Sequence, residues 1–269
     1  MKKRLSKRHQ MPGLSILHED RDLIVVDKAP GLLTIAADDE RERTAYRLLT
    51  DYVRKGCVRS RERVFIVHRL DRETSGVLVF ARTEAAKRDL QGNWEQTRKH
   101  YLAVVHGTPA SEHGTINSYL AENSALRVYS TRDTTKGKPA TTVWKRLQTN
   151  GDFSLLEIEL LTGRKHQIRV HLADLGHAVA GDRKYGPPDS PSKIMALHAF
   201  RLELTHPFTG ARMVFEAPVP HLFTRLMGVP VALPPSPSAT LIVNKPAGKG
   251  CDHGNVPDSG RGPSTRQPD

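Results

Sequence analysis

The sequence predicts an α+β domain built around a mixed, largely antiparallel sheet. Two observations carry this. Short apolar runs bounded by turn residues outnumber the segments with helical spacing, and the two kinds do not alternate as they would in a doubly wound fold. At 269 residues the chain is also long enough to bury a sizeable core.

Taken in order, Leu23-Ile24-Val25-Val26 reads as a strand closed by the turn Lys28-Ala29-Pro30-Gly31. Residues 43–54 suit a helix through Ala45, Leu48, Leu49 and Tyr52. Two apolar runs, 64–67 and 77–81, read as strands around the loop that holds Asp71. Thr83 caps a helix expected from Glu84 to about Arg98, with Gly92 its weak point. Strands follow at 101–105, 142–147, 153–161, 197–204 and 213–217, and residues 108–140 read as short strands and loops. Thr162-Gly163-Arg164-Lys165-His166-Gln167 leads into a helix that runs to Leu175, closed by Gly176. Three regions result: a basic arm over 1–15, a folded domain over 16–226, and a Pro/Gly/Ser-rich tail over 228–269. The tail holds 8 of the 18 prolines and is expected to be disordered. Within it, residues 241–248 echo residues 23–31 too briefly to make a repeat.

Charge narrows the partner. Lys and Arg number 41 against 29 Asp and Glu, a net +12, which points to a polyanion, with nucleic acid first. No long apolar segment or signal core suggests a membrane partner, and a cytoplasmic location is expected. Only Cys57 and Cys251 occur, so no disulfide framework or Cys-x-x-Cys metal site is read. Dinucleotide, Walker, Gly-x-Ser-x-Gly and His-Glu-x-x-His patterns are absent. His166 and His171 would diverge by about 140° on a helix, which does not favour a shared metal. No metal or organic cofactor is expected.

Two segments remain as carriers of chemistry. Asp71 lies on a strand-joining loop between Arg69 and Arg72, and a carboxylate among fixed cations suits a nucleophile or base. An acid in an ordinary turn, paired to a nearby Arg, is the competing account. The second segment, Arg164-Lys165-His166-Gln167-Ile168-Arg169, gathers donors near a helix start. Its alternative is a solvated basic face. Ile168 and Leu172 anchor that helix, so Arg169 is expected to be partly buried and in need of an anion, for which Asp71 is a natural candidate. Tyr101 is either a packed strand aromatic or a phenol in a cleft.

The order of these motifs resembles that of the RluA-type pseudouridine synthases over residues 16–226. The resemblance rests on Asp27 to Leu32, His68-Arg69-Leu70-Asp71 with Thr74-Ser75-Gly76, Tyr101 and Gly163 to His171. Gly181-Asp182 with Tyr185-Gly186, Leu197-His198-Ala199 and His206-Pro207 complete it. Departures are confined to loop positions, Ala29-Pro30 and Ala178. The resemblance implies a bent sheet with flanking helices and a central RNA-binding cleft. It implies an isomerase that converts uridine in rRNA or tRNA to pseudouridine, acting as a monomer with RNA as partner and no obligate protein partner. Asp71 would be the catalytic carboxylate, Tyr101 would lie under the uracil and Arg169 would pair with Asp71. Arg69 would enter the RNA as the target nucleotide leaves the stack. Arg164, Lys165, His166 and Lys28 are further candidates for RNA contact, with Lys28 either meeting a phosphate or staying solvated. Two other functions stay open at this stage: a glycosylase, which would release free uracil, and a non-catalytic RNA chaperone.

Overall fold

A computed structural model describes residues 11–36, 43–57 and 59–234. The basic arm up to residue 10, most of the tail (235–269) and its echo segment lie outside the described residues. Among the described residues no helix is long and apolar enough to cross a membrane.

One sheet organises the domain. In chain order its strands are β1 (Leu14–Glu19), β2 (Leu23–Lys28), β3 (Phe65–Ile66), β4 (Ser75–Ala81), β5 (Arg98–His106) and β6 (His113–Glu122). They continue with β7 (Val128–Thr131), β8 (Lys138–Thr149), β9 (Phe153–Leu160), β10 (Leu197–Thr205) and β11 (Arg212–Glu216). The spatial order is β1-β2-β4-β10-β5-β9-β8-β6-β7, with β11 on β10 and β3 on β4. Every pairing of these strands is antiparallel except β4 with β10, which is parallel and brief: Ser75 opposes His198 and Gly76 opposes Ala199. β11 then pairs β10 from residue 201 onward. The α+β class and the largely antiparallel sheet stand as the sequence predicts.

Both faces of the central strands are covered, which explains their unbroken apolar runs. On β2, Leu23 and Val25 face one core with Ala86 and Leu90 of α2 (Glu84–Gly92). Ile24 and Val26 face another core with Leu49 of α1 (Ala45–Val53). Farther along the sheet, Ile168 and Leu172 of α3 (Gln167–Asp174) pack on Ala103, Leu156 and Ile158. Phe223 and Met227 of α4 (His221–Met227) close the opposite face. Helix starts follow the sequence: Thr44 accepts from the Arg47 N–H and Thr83 from the Ala86 N–H.

Four expectations need correction. α2 ends at Gly92, not near Arg98, and a single 3-10 turn at Trp94–Gln96 leads into β5, which starts early at Arg98. Gly92 contributes no side chain to a further turn of helix. β1 has no counterpart in the sequence reading. Residues 113–122 form one long strand, because β6 runs half-exposed and so lacks the apolar alternation that marks a strand in sequence. The start of the expected tail is packed: the Ala232 N–H donates to Gln148 Oε1, the Pro234 carbonyl accepts from Arg201, and Val231 joins the α4 core.

The parallel junction makes two demands. Gly76 has φ +109, and a Cβ there would sit 2.2 Å from the Ala199 carbonyl oxygen, a backbone atom that cannot give way. Gly76→Ala is expected to cost on the order of 3 kcal/mol. A urea midpoint that falls with an unchanged m-value would show this; an unchanged midpoint would refute it. Beside it, His198 is fully buried, with Nδ1 2.9 Å from Ser75 Oγ. Burial drives its pKa from 6.5 to about 4. Between those values the unfolded chain binds the extra proton and the native one does not. Stability is therefore full above pH 6.5 and drops by about 3 kcal/mol as pH falls to 4. The difference in that slope between wild type and His198→Gln isolates the group, and identical slopes would exclude it.

Candidate active site

Asp71 sits on the loop that feeds β4, and the loop is held from behind by a buried lysine. Lys28 is 0% exposed, and its ammonium donates to the carbonyls of Ala29 (3.0 Å), Leu32 (2.8 Å) and Arg72 (3.2 Å). Neither expectation for Lys28, phosphate contact or solvation, holds in this structure. Burial lowers its pKa to about 8 against the opposing pull of Asp71, Glu73 and Asp27. Thr34 adds a second tie: its Oγ1 donates to the Leu70 carbonyl and accepts from the Leu70 N–H. His68 supports the next strand, since Nε2 accepts from the Val79 N–H and the ring stacks on Trp94 at 4.5 Å.

Across the cleft, α3 supplies the counterion. Arg169 is 5% exposed and reaches two carboxylates. Its Nε and Nη2 donate to Asp182 Oδ2 and Oδ1 at 2.7 and 2.8 Å, and its Nη1 donates to Asp71 Oδ2 at 3.2 Å. Burial by itself would lower the Arg169 pKa; Asp182 first and Asp71 second outweigh it and raise it. Asp182 is buried as well, which would raise its pKa, yet Arg169 and the N–H groups of Lys184 and Tyr185 bring it below the usual carboxylate range. Asp71 Oδ1 takes no hydrogen bond from a described residue.

The loop before α3 is fixed by Gln167. Its Oε1 accepts from Thr162 Oγ1 and the Arg164 N–H, and its Nε2 donates to Thr141 O and Thr142 Oγ1. His166 takes a left-handed conformation (φ 55) at the helix start. Its Nδ1 lies 2.8 Å from the Tyr185 hydroxyl and its Nε2 3.9 Å from Asp71 Oδ2. Because that hydroxyl accepts from the Val128 N–H, its own proton is available to Nδ1, which would place the imidazole proton on Nε2, the nitrogen nearer Asp71. Burial lowers the His166 pKa, with Asp71 opposing and Arg169 assisting. His171, in contrast, is buried between Ser118 and Thr142, far from sharing a ligand with His166.

Between the Asp71 loop and α3 lies an open cleft of about 450 Å³, space open to solvent included. Of the residues singled out in the sequence, Asp71, Tyr101, Arg169, Arg69, Arg164 and His166 all border it. Leu70 and Ile168 are buried in its wall. Arg69 and Arg164 are exposed at the rim, and Arg164 Nε donates to Pro139 O. Lys165 is not in the wall; its ammonium pairs with the Glu122 carboxylate. Tyr101 is half-buried, and burial together with the Asp71 charge pushes its phenol well above the usual range. The sequence reading assigned no role to Thr34, Gln167, Asp182 or Tyr185. Asp182 and Tyr185 stand in a quoted motif, but only the fold brings them to Arg169. Beyond this cleft, Asp20, Asp22 and His206 cluster closely enough for a cation. His206 Nδ1 accepts two backbone N–H groups, however, which leaves its Nε2 proton for Asp20.

The fold is that of a pseudouridylate synthase domain. The human RNA pseudouridylate synthase domain containing 4 superposes with a TM-score of 0.66 at 23% identity, covering 78% of this chain and 90% of that one. The sequence is 34% identical over 216 residues to the dual-specificity RNA pseudouridine synthase RluA of Escherichia coli K12, covering 78% of this chain and 94% of the relative. It is 36% identical over 220 residues to ribosomal large subunit pseudouridine synthase D of Nitrosomonas europaea, covering 77% of this chain and 62% of that protein's length. The sequence model described as RNA pseudouridylate synthase matches residues 22–174. The chain belongs to the RNA pseudouridylate synthase family.

The role of Lys28 is open to a direct check. Lys28→Met takes the ammonium donor from the carbonyls of Ala29 and Leu32, and one of two donors from that of Arg72, which keeps the Gly31 N–H. This costs about 1–3 kcal/mol for each group left unsatisfied and loosens the Asp71 loop. Turnover is expected to fall while the dependence of RNA affinity on salt stays as in wild type. A reduced salt dependence would restore Lys28 as a phosphate contact.

Proposed function

We propose that the protein converts a uridine of structured rRNA or tRNA to pseudouridine, on a nucleotide extruded into the Asp71 cleft, with Asp71 as the nucleophile. The observation that carries this is the division of the Asp71 carboxylate. Oδ2 is held by Arg169, itself gripped by Asp182, and Oδ1 is left to the cleft. One oxygen is thus fixed by a charge-assisted bond while the other is available to carbon 1′ of a ribose.

The chemistry needs little else. Oδ1 bonds carbon 1′ as the bond to uracil N1 breaks, and the electron pair leaves with the base. The detached uracil turns and its carbon 5 attacks carbon 1′, which returns the carboxylate. The carbon-5 proton is then lost and N1 gains one, so the product is an isomer of the substrate. Extrusion costs a few kcal/mol, roughly, which phosphate contacts and stacking must offset. The net +12 charge supports the former, and Tyr101 in the cleft wall supports the latter. The exposure of Arg69 at the cleft rim supports its entry into the space that the nucleotide leaves. Relatives named for the large ribosomal subunit and for dual RNA specificity support a structured stable RNA as substrate.

Asp71→Asn is expected to lower tritium release from RNA labelled at uracil carbon 5 by on the order of 10⁴-fold or more, with RNA affinity retained. Persisting turnover would remove Asp71 from this role, and free uracil among the wild-type products would identify a glycosylase. Deuterium at carbon 2′ tests the nucleophilic route. A primary isotope effect on turnover would instead assign Asp71 to removal of the 2′ proton, by way of a glycal.

A further inference from the structure

We propose that a second hollow beside the Asp71 cleft holds a phosphodiester of the same RNA strand through Arg127, Arg183 and Lys193; this rests on the RNA-modifying reading of that cleft. The hollow has about 970 Å³ of space open to solvent and shares His166 and Arg169 with the cleft as a common wall. A nucleotide extruded against Asp71 remains joined to its neighbours by phosphates on both sides of the sugar. The backbone must therefore leave the cleft past one of its walls, and this hollow lies behind one of them.

Three of its cations have no acid partner among the described residues. Arg183 and Lys193 are exposed, and neither side chain has a partner among the described residues. The Arg127 guanidinium lies over the Tyr185 ring at 5.0 Å. Such stacking supports the plane of the guanidinium and leaves its N–H edge for an anion. Of the two acids in the wall, Asp182 is consumed by Arg169 and two backbone N–H groups. Glu73, which also acts on buried Lys28, is exposed and is the one acid opposing three cations.

The three cations come from separate segments, yet all are tied to one turn. The Lys184 ammonium donates to Leu126 O at 2.6 Å and the Val128 N–H to the Tyr185 hydroxyl at 3.1 Å. These two bonds fasten the β6–β7 hairpin, and with it Arg127, to the 182–185 turn that carries Arg183. Gly181 (φ +78) brings the segment of Lys193 alongside: a Cβ there would lie 2.1 Å from the Ile194 carbonyl oxygen. The positions that carry the cations are fixed before any ligand arrives, which lowers the ordering cost of binding. Two arginine forks and an ammonium suit phosphate oxygens.

Binding is measured on the full chain carrying Asp71→Asn, so that no turnover is needed and failure of the catalytic reading shows only in the tritium assay. The probes are a stem–loop RNA with an all-uridine loop and the same RNA with methylphosphonate linkages in that loop. In the triple variant Arg127→Gln, Arg183→Gln, Lys193→Gln, the slope of log affinity against log salt is expected to fall by ~0.7, the value for one single-strand phosphate contact. A charge-matched control, Lys87→Gln, Arg88→Gln, Arg225→Gln, should move it far less. Methylphosphonates should weaken binding to the parent protein and add little further loss to the triple variant. Equal slope changes in the two triples, or an undiminished methylphosphonate effect in the first, would overturn the proposal. So would inorganic phosphate raising the melting temperature of the parent alone while the RNA slope stays unchanged, which would mark a small-anion site. Should the triple variant fail to fold, Lys193→Gln alone gives the same reading, with a smaller fall of the slope, below ~0.7, expected and no change overturning it.

Discussion

The bridge from Asp182 through Arg169 to Asp71 is the interaction on which the rest of the site depends. Arg169 is buried, and a buried guanidinium is tolerable only with its charge and donors matched. Asp182 matches it twice over, side-on, which leaves Nη1 to point at Asp71. The same carboxylate accepts the N–H groups of Lys184 and Tyr185 and so shapes the turn after β9 and α3. Breaking such a buried pair by removing one partner costs roughly 3–5 kcal/mol. Here the loss would also release the helix start, the turn and the position of the Asp71 carboxylate together.

Electrostatics around that bridge is uneven in a useful way. Lys28 lies behind the Asp71 loop with its ammonium held by three carbonyls, and its charge compensates Asp71 without reaching the cleft. Tyr101 shares the cleft with Asp71, and both burial and that negative charge oppose loss of its proton. The phenol therefore stays protonated across the neutral range and cannot act as a base there. It is left as an apolar wall with a hydroxyl to donate, a surface suited to stacking. Among the described cleft residues His166 is the one whose ordinary pKa is near neutrality, and burial favours its uncharged form.

The parts of this arrangement that were legible in the sequence are the local ones. Apolar runs located the central strands because both their faces are buried, and Thr83 marked its helix start. Asp71 and Arg169 were each recognisable within a motif, and their pairing followed from the argument that a buried arginine needs an anion. What the sequence hid depends on distant contacts. A lysine after a strand reads as exposed, and only the carbonyls of Leu32 and Arg72 converging on it make burial tolerable. Asp182 lies 13 residues from Arg169, and its turn gives no sign of its target. β6 was obscured for the opposite reason: a half-exposed strand leaves no apolar rhythm to read.

The cleft itself follows from the single parallel pairing between the described strands. In an antiparallel pair, adjacent strands enter from opposite ends, so their incoming loops lie apart. β4 and β10 enter from the same end, which brings the Asp71 loop and the segment before Leu197 to one edge. β5 pairs antiparallel with the other side of β10, with Tyr101 opposite Ala199. Gly76 against Ala199, Gly181 against Ile194 and Gly186 against Asp182 are the three points among the described residues where a Cβ would meet a backbone atom too closely. All three border the site, one on the strand that follows the Asp71 loop and two beside Asp182. The fold thus concentrates its tightest backbone packing beside the Asp71–Arg169–Asp182 bridge, where small shifts would separate the three charges.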